Sequence, residues 1–318
     1  MLHNTPNIVY HYCSLESFMS IIKNNTIRLT NISKSNDSSE ICYCFDFFQN
    51  ILKKAIKDFT RLHTSDEELK SYFNGININN LISRAIFNDS LIYYVACFSS
   101  EANLLSQWRG YADDGNGVAI GFYSTLFRTS SPSDTEKLNY GKIVYDINNI
   151  ETDFHNYIID KLELAYKENN FSAYEIAINK IVSTIVYNAV FIKNPAFKEE
   201  NEWRLVFYPF GHIRNLLINH KSRDMSSNQF FYDRMLEPIE CEKDYNGLKR
   251  GKISFRCTKD KIISYVDMNF EKIKKEILAE IVIGPKSNIT DNDLKLFLLS
   301  NGYDLTKVKI RKSSSTYR

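Results

Sequence analysis

Two apolar segments of the chain each carry an ionisable side chain. His11 lies within Ile8–Cys13 (IVYHYC), and Glu202 begins Glu202–Tyr208 (EWRLVFY). Burying a polar group is unfavourable unless the group gains a partner or performs a task. Both an imidazole and a carboxylate can transfer protons, so His11 and Glu202 are the primary candidates for a catalytic site. The alternatives are a hydrogen-bonded core histidine and a surface ion pair between Glu202 and Arg204.

A third cluster combines aromatic, basic and glycine residues. Residues 106–111 (SQWRGY) are followed by a turn at residues 113–117 (DDGNG). The planar guanidinium of Arg109 suits bidentate contacts with a phosphate or a carboxylate, and Trp108 or Tyr111 could stack on a flat ring. The alternative is a turn capped by Arg109 over a packed Trp108.

Apolar patterns predict short strands along the whole chain, with helices between them. The predicted strands are Ile8–Cys13, residues 26–32, 91–99, 118–122, 142–146, Glu202–Tyr208, and residues 251–256, 262–266, 279–283 and 307–312. The predicted helices follow Ser14 and Glu40, cover residues 78–88, begin residues 103–122, occupy residues 153–191 with a break near Asn169, and run from Thr290 or Asp291 to Asn301. We expect one α+β domain over residues 1–318, with helical insertions near 44–88 and 153–191.

The composition is that of a globular protein. Of the 318 residues, 43% are hydrophobic and 25% are charged, and the net charge is +2. The six cysteines have neither disulfide nor zinc-site spacing. The N-terminal residues do not form a signal peptide, and the longest apolar stretch, residues 181–192, is too short to span a bilayer. We expect a cytoplasmic protein with buried, reduced thiols, no metal and no membrane partner.

The order of these segments resembles the ADP-ribosyltransferase superfamily, in particular its poly(ADP-ribose) polymerase branch and the bacterial toxins that ADP-ribosylate nucleic acid. The resemblance lies in the opening strand with His11, in the Gly-rich residues 117–122 (GVAIGF), and in residues 201–207 (NEWRLVF), which resemble the Asn-Glu-aromatic strand that supplies the catalytic glutamate. It implies a split β-sheet core. The whole chain also resembles a bacterial family of unknown function marked by Tyr-His-Tyr, Ser-Gln-Trp-Arg-Gly-Tyr and Glu-Trp-Arg.

The resemblance implies that the protein consumes NAD⁺. His11 would hydrogen-bond the adenosine ribose, and Glu202 would bind the 2′-hydroxyl of the nicotinamide ribose. The family's middle Tyr or Ser has no unambiguous match, and Tyr111 and Tyr123 are the candidates, so the residue that stacks on nicotinamide is left open. The family's His-Gly pair is absent, because Tyr12 follows His11. The full set expected to bind NAD⁺ is His11, Tyr12, Arg28, Asn36, Trp108, Arg109 and Tyr111, with Arg28, Asn36 and Arg109 assigned to the pyrophosphate on charge alone.

A single carboxylate is sufficient for this reaction. Cleavage of the nicotinamide–ribose bond passes through an oxocarbenium-like transition state, which a nearby carboxylate stabilises. The leaving group is already cationic nicotinamide, so no general acid has to protonate it. The same glutamate can act as a base toward the incoming acceptor.

The expected acceptor is nucleic acid, either RNA or DNA. Basic side chains in two segments predict contacts with phosphates; they are Lys249, Arg250 and Lys252, and Lys309 and Arg311. The alternative is a set of solvated lysines on edge strands, which oppose aggregation. The Asn-, Lys- and Ile-rich composition fits a toxin or phage-defence effector, for which an antitoxin protein is an expected partner.

Other functions are compatible with the same residues. A metal-dependent nuclease could use Asp113, Asp114, Glu199 and Glu202. A non-catalytic module could use the fold to bind a nucleotide or a partner protein. NAD⁺ hydrolysis and RNA 2′-phosphate transfer are further reactions that we consider on this scaffold.

Overall fold

A computed structural model describes residues 5–34, 40–80, 93–127, 137–208 and 243–317. Its strands are β1 (Ile8–Cys13), β2 (Thr26–Asn31), β3 (Tyr94–Ser99), β4 (Val118–Tyr123), β5 (Lys137–Lys142), β6 (Glu202–Tyr208), β7 (Lys243–Tyr245), β8 (Leu248–Cys257), β9 (Ile262–Asn269), β10 (Leu278–Ile283) and β11 (Lys309–Lys312). Its α-helices are α1 (Leu15–Asn24), α2 (Glu40–Leu62), α3 (Glu67–Asn74), α4 (Leu105–Tyr111), α5 (Asn148–Lys167), α6 (Phe171–Ala189), α7 (Lys274–Ile277) and α8 (Asp291–Ser300). The expected mixture of helices and strands is confirmed.

Local capping residues explain the opening of the fold. The Ser14 side chain accepts a hydrogen bond from the N–H of Ser17 and begins α1, as a serine N-cap does. Asn25 ends the helix in the left-handed conformation, with φ 52°, which asparagine tolerates better than most residues. The chain then enters β2, as predicted.

The strands form an open mixed sheet. Its order is β11-β10-β4-β1-β3-β2-β9-β8-β7, and β6 joins β3 and in turn carries β5. β1 pairs with β4 along its whole length, and β3 pairs with β6 along its whole length. The N-terminal strand therefore lies near the centre of the sheet.

The ladder is open along one edge of β3. β1 pairs with this edge only at Tyr10↔Ser99, and β2 pairs with it only at Thr30↔Val95 and Asn31↔Tyr94. Within the described strands, residues 96–98 therefore have no ladder partner on this edge. The sheet thus has an opening beside Cys97.

Helices cover the two faces of the sheet unevenly. α1 and α8 pack on one face. On the other face, the helices α2, α3, α5 and α6 form a joint core with Val95, Val206 and Tyr208, while α4 covers β1 through Trp108. Cys97 lies on β3 between these two covered regions and is exposed.

Several boundaries differ from the prediction. The strand expected at residues 142–146 is instead β5, which ends at Lys142 and pairs with β6; only an isolated bridge from Val144 to Ile192 follows. α5 begins at Asn148 rather than near residue 153. The helix expected at residues 78–88 falls mostly outside the described residues. None of the described helices combines the length and apolarity that a bilayer crossing requires.

Candidate active site at the opening of the sheet

His11 and Glu202 both contact Cys97 at this opening. The Nδ1 atom of His11 lies 3.0 Å from the Cys97 carbonyl oxygen, and the Cys97 side chain is hydrogen-bonded to Glu202. The His11 ring also packs against Phe98, with 5.8 Å between the ring centroids. The structure therefore brings the two predicted residues to one position on β3.

The two side chains nevertheless leave their strands in opposite directions. Tyr10 pairs with Ser99 and Ser99 pairs with Glu202, and directly paired residues in an antiparallel ladder share a face. His11 follows Tyr10 in the strand and so starts from the other face. His11 and Glu202 therefore do not share a face of the sheet, and the His11 imidazole reaches the Cys97 carbonyl through the opening.

The hydrogen bond to Cys97 defines the form of His11. Because a carbonyl oxygen only accepts, Nδ1 must carry the proton and Nε2 is left as an acceptor. Burial lowers the pKa of His11 below its usual range, and the bond to the Cys97 carbonyl opposes this only in part. The imidazole is therefore neutral at pH 7.

Glu202 belongs to a buried ionic network. Arg204 binds both carboxylate oxygens, with Nε 2.6 Å from Oε1 and Nη2 3.2 Å from Oε2, and its Nη1 donates to the Val190 carbonyl at 2.8 Å. Lys193 Nζ lies 2.6 Å from Glu200 Oε2 and 3.1 Å from Glu202 Oε2. Two cations thus balance two carboxylates, and all four side chains are buried.

The network keeps Glu202 ionised. Burial raises the pKa of the carboxyl group, but the charge and hydrogen bonds of Arg204, followed by Lys193, outweigh burial and bring the pKa to about 2. The Glu202 backbone N–H also donates to the Tyr145 hydroxyl at 3.0 Å. The carboxylate is therefore fixed in orientation at the first residue of β6.

A short 3₁₀ turn, Pro195–Glu200, brings Glu200 into this network. Asn194 caps the turn by accepting the N–H of Ala196 at 2.9 Å, and Asn201 leaves it with φ 44°. The Ser99 hydroxyl donates to the Glu200 carbonyl at 2.7 Å and ties the turn to β3. The Asn-Pro and Asn-Glu steps of the sequence therefore determine where β6 begins.

Tyr111 is the predicted aromatic residue that faces the network. Its side chain is partly exposed. Burial, followed by the nearby charge of Glu200, raises the pKa of its hydroxyl to about 12, and Cys97 and Glu202 contribute to the same shift. A neutral aromatic ring beside the carboxylates can contact a flat, cationic ligand.

Tyr12 and Trp108, both predicted to bind the ligand, are structural instead. Trp108 is fully buried, packs edge-on against Tyr12 and donates to the Asn103 side chain at 3.2 Å. The Tyr12 hydroxyl donates to the Glu101 carbonyl at 2.7 Å and accepts the N–H of Leu104 at 3.1 Å. Both side chains pack between α4 and β1 and are buried there.

Two residues assigned to the pyrophosphate, Arg28 and Arg109, form contacts away from the opening. The guanidinium of Arg109 lies 4.8 Å from the centroid of the Tyr317 ring. Tyr111 follows Arg109 by two residues and therefore lies on the opposite side of α4, where it faces Glu202. Arg28 forms a bidentate ion pair with Asp267, at 2.9 and 3.3 Å. Asn36 lies outside the described residues.

The predicted nucleic-acid residues do not form one patch. Arg250 is fully buried, with its guanidinium 5.0 Å from the centre of the Phe207 ring. Arg311 is paired with the buried Glu280 at 3.0 and 3.1 Å. The remaining exposed residues stand near opposite ends of the strand order, with Lys249 and Lys252 on β8 and Lys309 on β11.

The carboxylates proposed for a nuclease are also dispersed. Asp114 is bound by Lys286 at 2.7 Å and by the Tyr317 hydroxyl, whereas Glu202 is bound by Arg204 and Lys193. Among the described residues, no group of three or more His, Cys, Asp or Glu side chains is placed to hold a metal ion.

Several residues that define the site could not be identified from the sequence. Cys97 stands in an apolar run and was expected to be buried, as Cys13 and Cys44 are, but it is exposed. Lys193 and Glu200 have no local pattern that marks them as buried ionic partners. The usable signal was the helix-stopping Asn194-Pro195 pair, which places a turn just before Glu202.

Comparison with known proteins gives one match. The model of a family described as a protein of unknown function, DUF2971, matches residues 107–205. No curated protein and no solved structure matches the chain. The matched segment begins in α4 and ends in β6, so the similarity to this family includes Tyr111, Lys193 and Glu202 but assigns no activity to them.

Proposed function

We propose that this protein is an NAD⁺-dependent ADP-ribosyltransferase with its site at the opening beside Cys97. The observation that carries the proposal is an ionised carboxylate, Glu202, held in a fixed orientation beside Cys97, whose carbonyl is hydrogen-bonded to His11. The opening between β1 and β3 supports the split-sheet core that the sequence resemblance implies.

The electrostatics of Glu202 suit the reaction. Positive charge develops on the ribose when nicotinamide leaves, and a carboxylate stabilises it most strongly where water is excluded. Arg204, Lys193 and the Cys97 thiol together occupy the lone pairs of Glu202. A ribose 2′-hydroxyl can take the place of the Cys97 thiol, a weak donor, without displacing either cation.

His11 and Tyr111 complete the proposed binding mode. The Nε2 atom of the neutral His11 accepts a hydrogen bond from a ribose hydroxyl of the adenosine half. The Tyr111 ring stacks on nicotinamide, which shields the reacting carbon from water. The modified acceptor is nucleic acid, RNA or DNA, and the protein acts as a toxin or defence effector that an antitoxin protein controls.

A non-catalytic nucleotide-binding module is the second candidate. It is favoured by the near-complete burial of Glu202, which is 4% exposed, and by the two cations that already bind it. Such a module would bind NAD⁺ without releasing nicotinamide.

The test is incubation of the purified protein with labelled NAD⁺ and, separately, with protein, DNA and RNA. We expect labelled nucleic acid, and Glu202→Gln should lower its formation by at least about a hundredfold, the scale on which a single electrostatic stabiliser acts. Glu199→Gln is the matched control, because Glu199 is exposed one residue before Glu200. Tyr111→Ala provides a second variant outside the ionic network, which we expect to raise KM for NAD⁺.

The outcomes separate the candidates. Nicotinamide release without labelled macromolecule would indicate NAD⁺ hydrolysis. Binding of NAD⁺ without turnover would indicate the non-catalytic module. Turnover unaffected by Glu202→Gln, in a variant with a native circular-dichroism spectrum, would reject the proposed role of Glu202.

A further inference from the structure

A polar cavity lies between α2 and α3, apart from the residues of the proposed active site. Its volume is about 250 Å³, and it is lined by Lys57, Thr60, Arg61, Thr64, Lys70 and Asn74. Three of these six residues are cationic, and none is acidic or apolar. The charged ends of these side chains favour an anion.

Helical spacing explains how the lining residues converge. Lys57, Thr60, Arg61 and Thr64 follow the spacing i, i+3, i+4 and i+7, which places them on one side of α2 and its C-terminal extension. Lys70 and Asn74 are one turn apart on α3. The buried residues of both helices, among them Phe59 and Phe73, lie on other faces. Two helices therefore turn polar sides toward one space.

The positive charge around the cavity is incompletely balanced. Lys57 and Arg61 are like charges one helical turn apart, an unfavourable pairing. Arg61 contacts Asp58 at 3.6 Å and Lys70 contacts Glu67 at 2.7 Å, but neither carboxylate lines the cavity. Within the described part of the chain, no acidic side chain forms an ion pair with Lys57. An anion in the cavity would relieve this repulsion.

We propose that this cavity binds a phosphate group. Phosphate oxygens accept charge-assisted hydrogen bonds from lysine and arginine, and the Thr64 hydroxyl and Asn74 amide supply neutral donors of the kind that contact phosphates. The group can belong to a nucleic-acid backbone or to free phosphate. The proposal concerns binding only and does not depend on transferase activity.

The test measures binding of inorganic phosphate and of a short single-stranded RNA to the full chain and to the triple variant Lys57→Gln, Arg61→Gln and Lys70→Gln. We expect phosphate binding to weaken at least about tenfold, because three charged donors are lost. If a backbone phosphate is the ligand, RNA affinity also falls, and the plot of log K for RNA binding against log salt concentration becomes less steep by about 2.

The matched control is Lys259→Gln, Lys261→Gln and Lys307→Gln, which removes the same charge from exposed positions outside α2 and α3. If the cavity variant loses phosphate binding while its RNA binding is unchanged, the site is supported and its ligand is free phosphate. The proposal is overturned if the wild-type protein binds neither probe, or if the control variant weakens binding as much as the cavity variant.

Discussion

Burial acts on the two ionisable residues at the opening with different results. It favours the uncharged form of any group, so it lowers the pKa of an imidazole and raises that of a carboxyl. For His11, only a carbonyl opposes this effect, and the ring stays neutral. For Glu202, Arg204 and Lys193 outweigh it, and the group stays ionised. A hydrogen-bond acceptor and an anion are thus maintained around one residue of β3, Cys97.

His11 should therefore titrate below its ordinary value of 6.5. Its neutral form, with the proton on Nδ1, should persist through pH 7, and any activity that needs the Nε2 acceptor should be lost only as the pH falls through the lowered pKa. ¹⁵N-detected NMR of the imidazole nitrogens would measure both the tautomer and the titration. A midpoint at or above 6.5 would contradict this assignment.

The sequence identified Glu202 and His11 because each interrupts an apolar segment. It could not identify Lys193 or Cys97, because the burial of a lysine and the exposure of a cysteine depend on how the assembled elements pack. Trp108 was assigned to ligand binding for its chemistry, yet packing against Tyr12 makes it part of the core. Residue type indicates capability, while burial depends on the assembled fold.

At the scale of elements, the start of β4 depends on a close backbone approach. A side chain at Gly117 would place its Cβ 2.1 Å from the Cys13 carbonyl oxygen, which belongs to the neighbouring strand β1. The Cys13 carbonyl is held by the β1–β4 ladder, and Gly117 is held by backbone hydrogen bonds with Ala112 and Gly284, so neither can move easily. The Gly-rich segment is therefore required by strand packing as well as by the preceding turn.

We expect Gly117→Ala to destabilise the protein by about 3 kcal/mol, within the range of severe overpacking. The control is Gly110→Ala in α4, where no atom lies within 4 Å of the added carbon; it should be neutral or stabilising by up to ~1 kcal/mol. Urea unfolding monitored by tryptophan fluorescence compares the two. Equal stability of both variants would show that the β1–β4 contact is adaptable.

Elements with local signals were predicted well, and elements defined by their partners were not. β1, α1 and β6 have clear apolar patterns, caps or turns, and their boundaries agree with expectation. β5 (KLNYGK) has a weak pattern of its own and exists by pairing with β6. The sheet order itself could not be predicted, because nothing in the local pattern identifies which strands pair.

At the scale of the molecule, the buried ionic network joins the segment after α6 to the start of β6. Lys193→Met would leave Glu200 and Glu202 without one of their cations, and removing one partner of a buried pair costs roughly 3–5 kcal/mol. Lys198→Met, at an exposed position of the same turn, is the control and should change stability little. Adding Glu200→Gln to Lys193→Met should restore part of the loss, and failure to do so would mean that packing, not charge, dominates.

Lys193→Met should also weaken the dependence of stability on pH in the acid range. The pKa of Glu202 is about 2 in the folded chain, below its ordinary 4.5. The stabilisation that ionised Glu202 gives the fold is therefore complete above pH 4.5 and is lost as the pH falls toward 2. Lys193→Met should raise the pKa of Glu202 in the folded state and so reduce the difference between its folded and unfolded pKa values. The free energy of unfolding should therefore depend less steeply on pH in this window than in the wild type.

The central position of the N-terminal strand has a consequence for biosynthesis. β1 leaves the ribosome before its main partner β4, which follows about a hundred residues later, and β10 must still arrive to cover the far side of β4. Loop-closure entropy delays such distant pairings, whereas the intervening helix α2 can form on its own as it emerges. We therefore expect the apolar side chains of β1 to stay exposed during this part of translation, when unpaired strand edges favour aggregation.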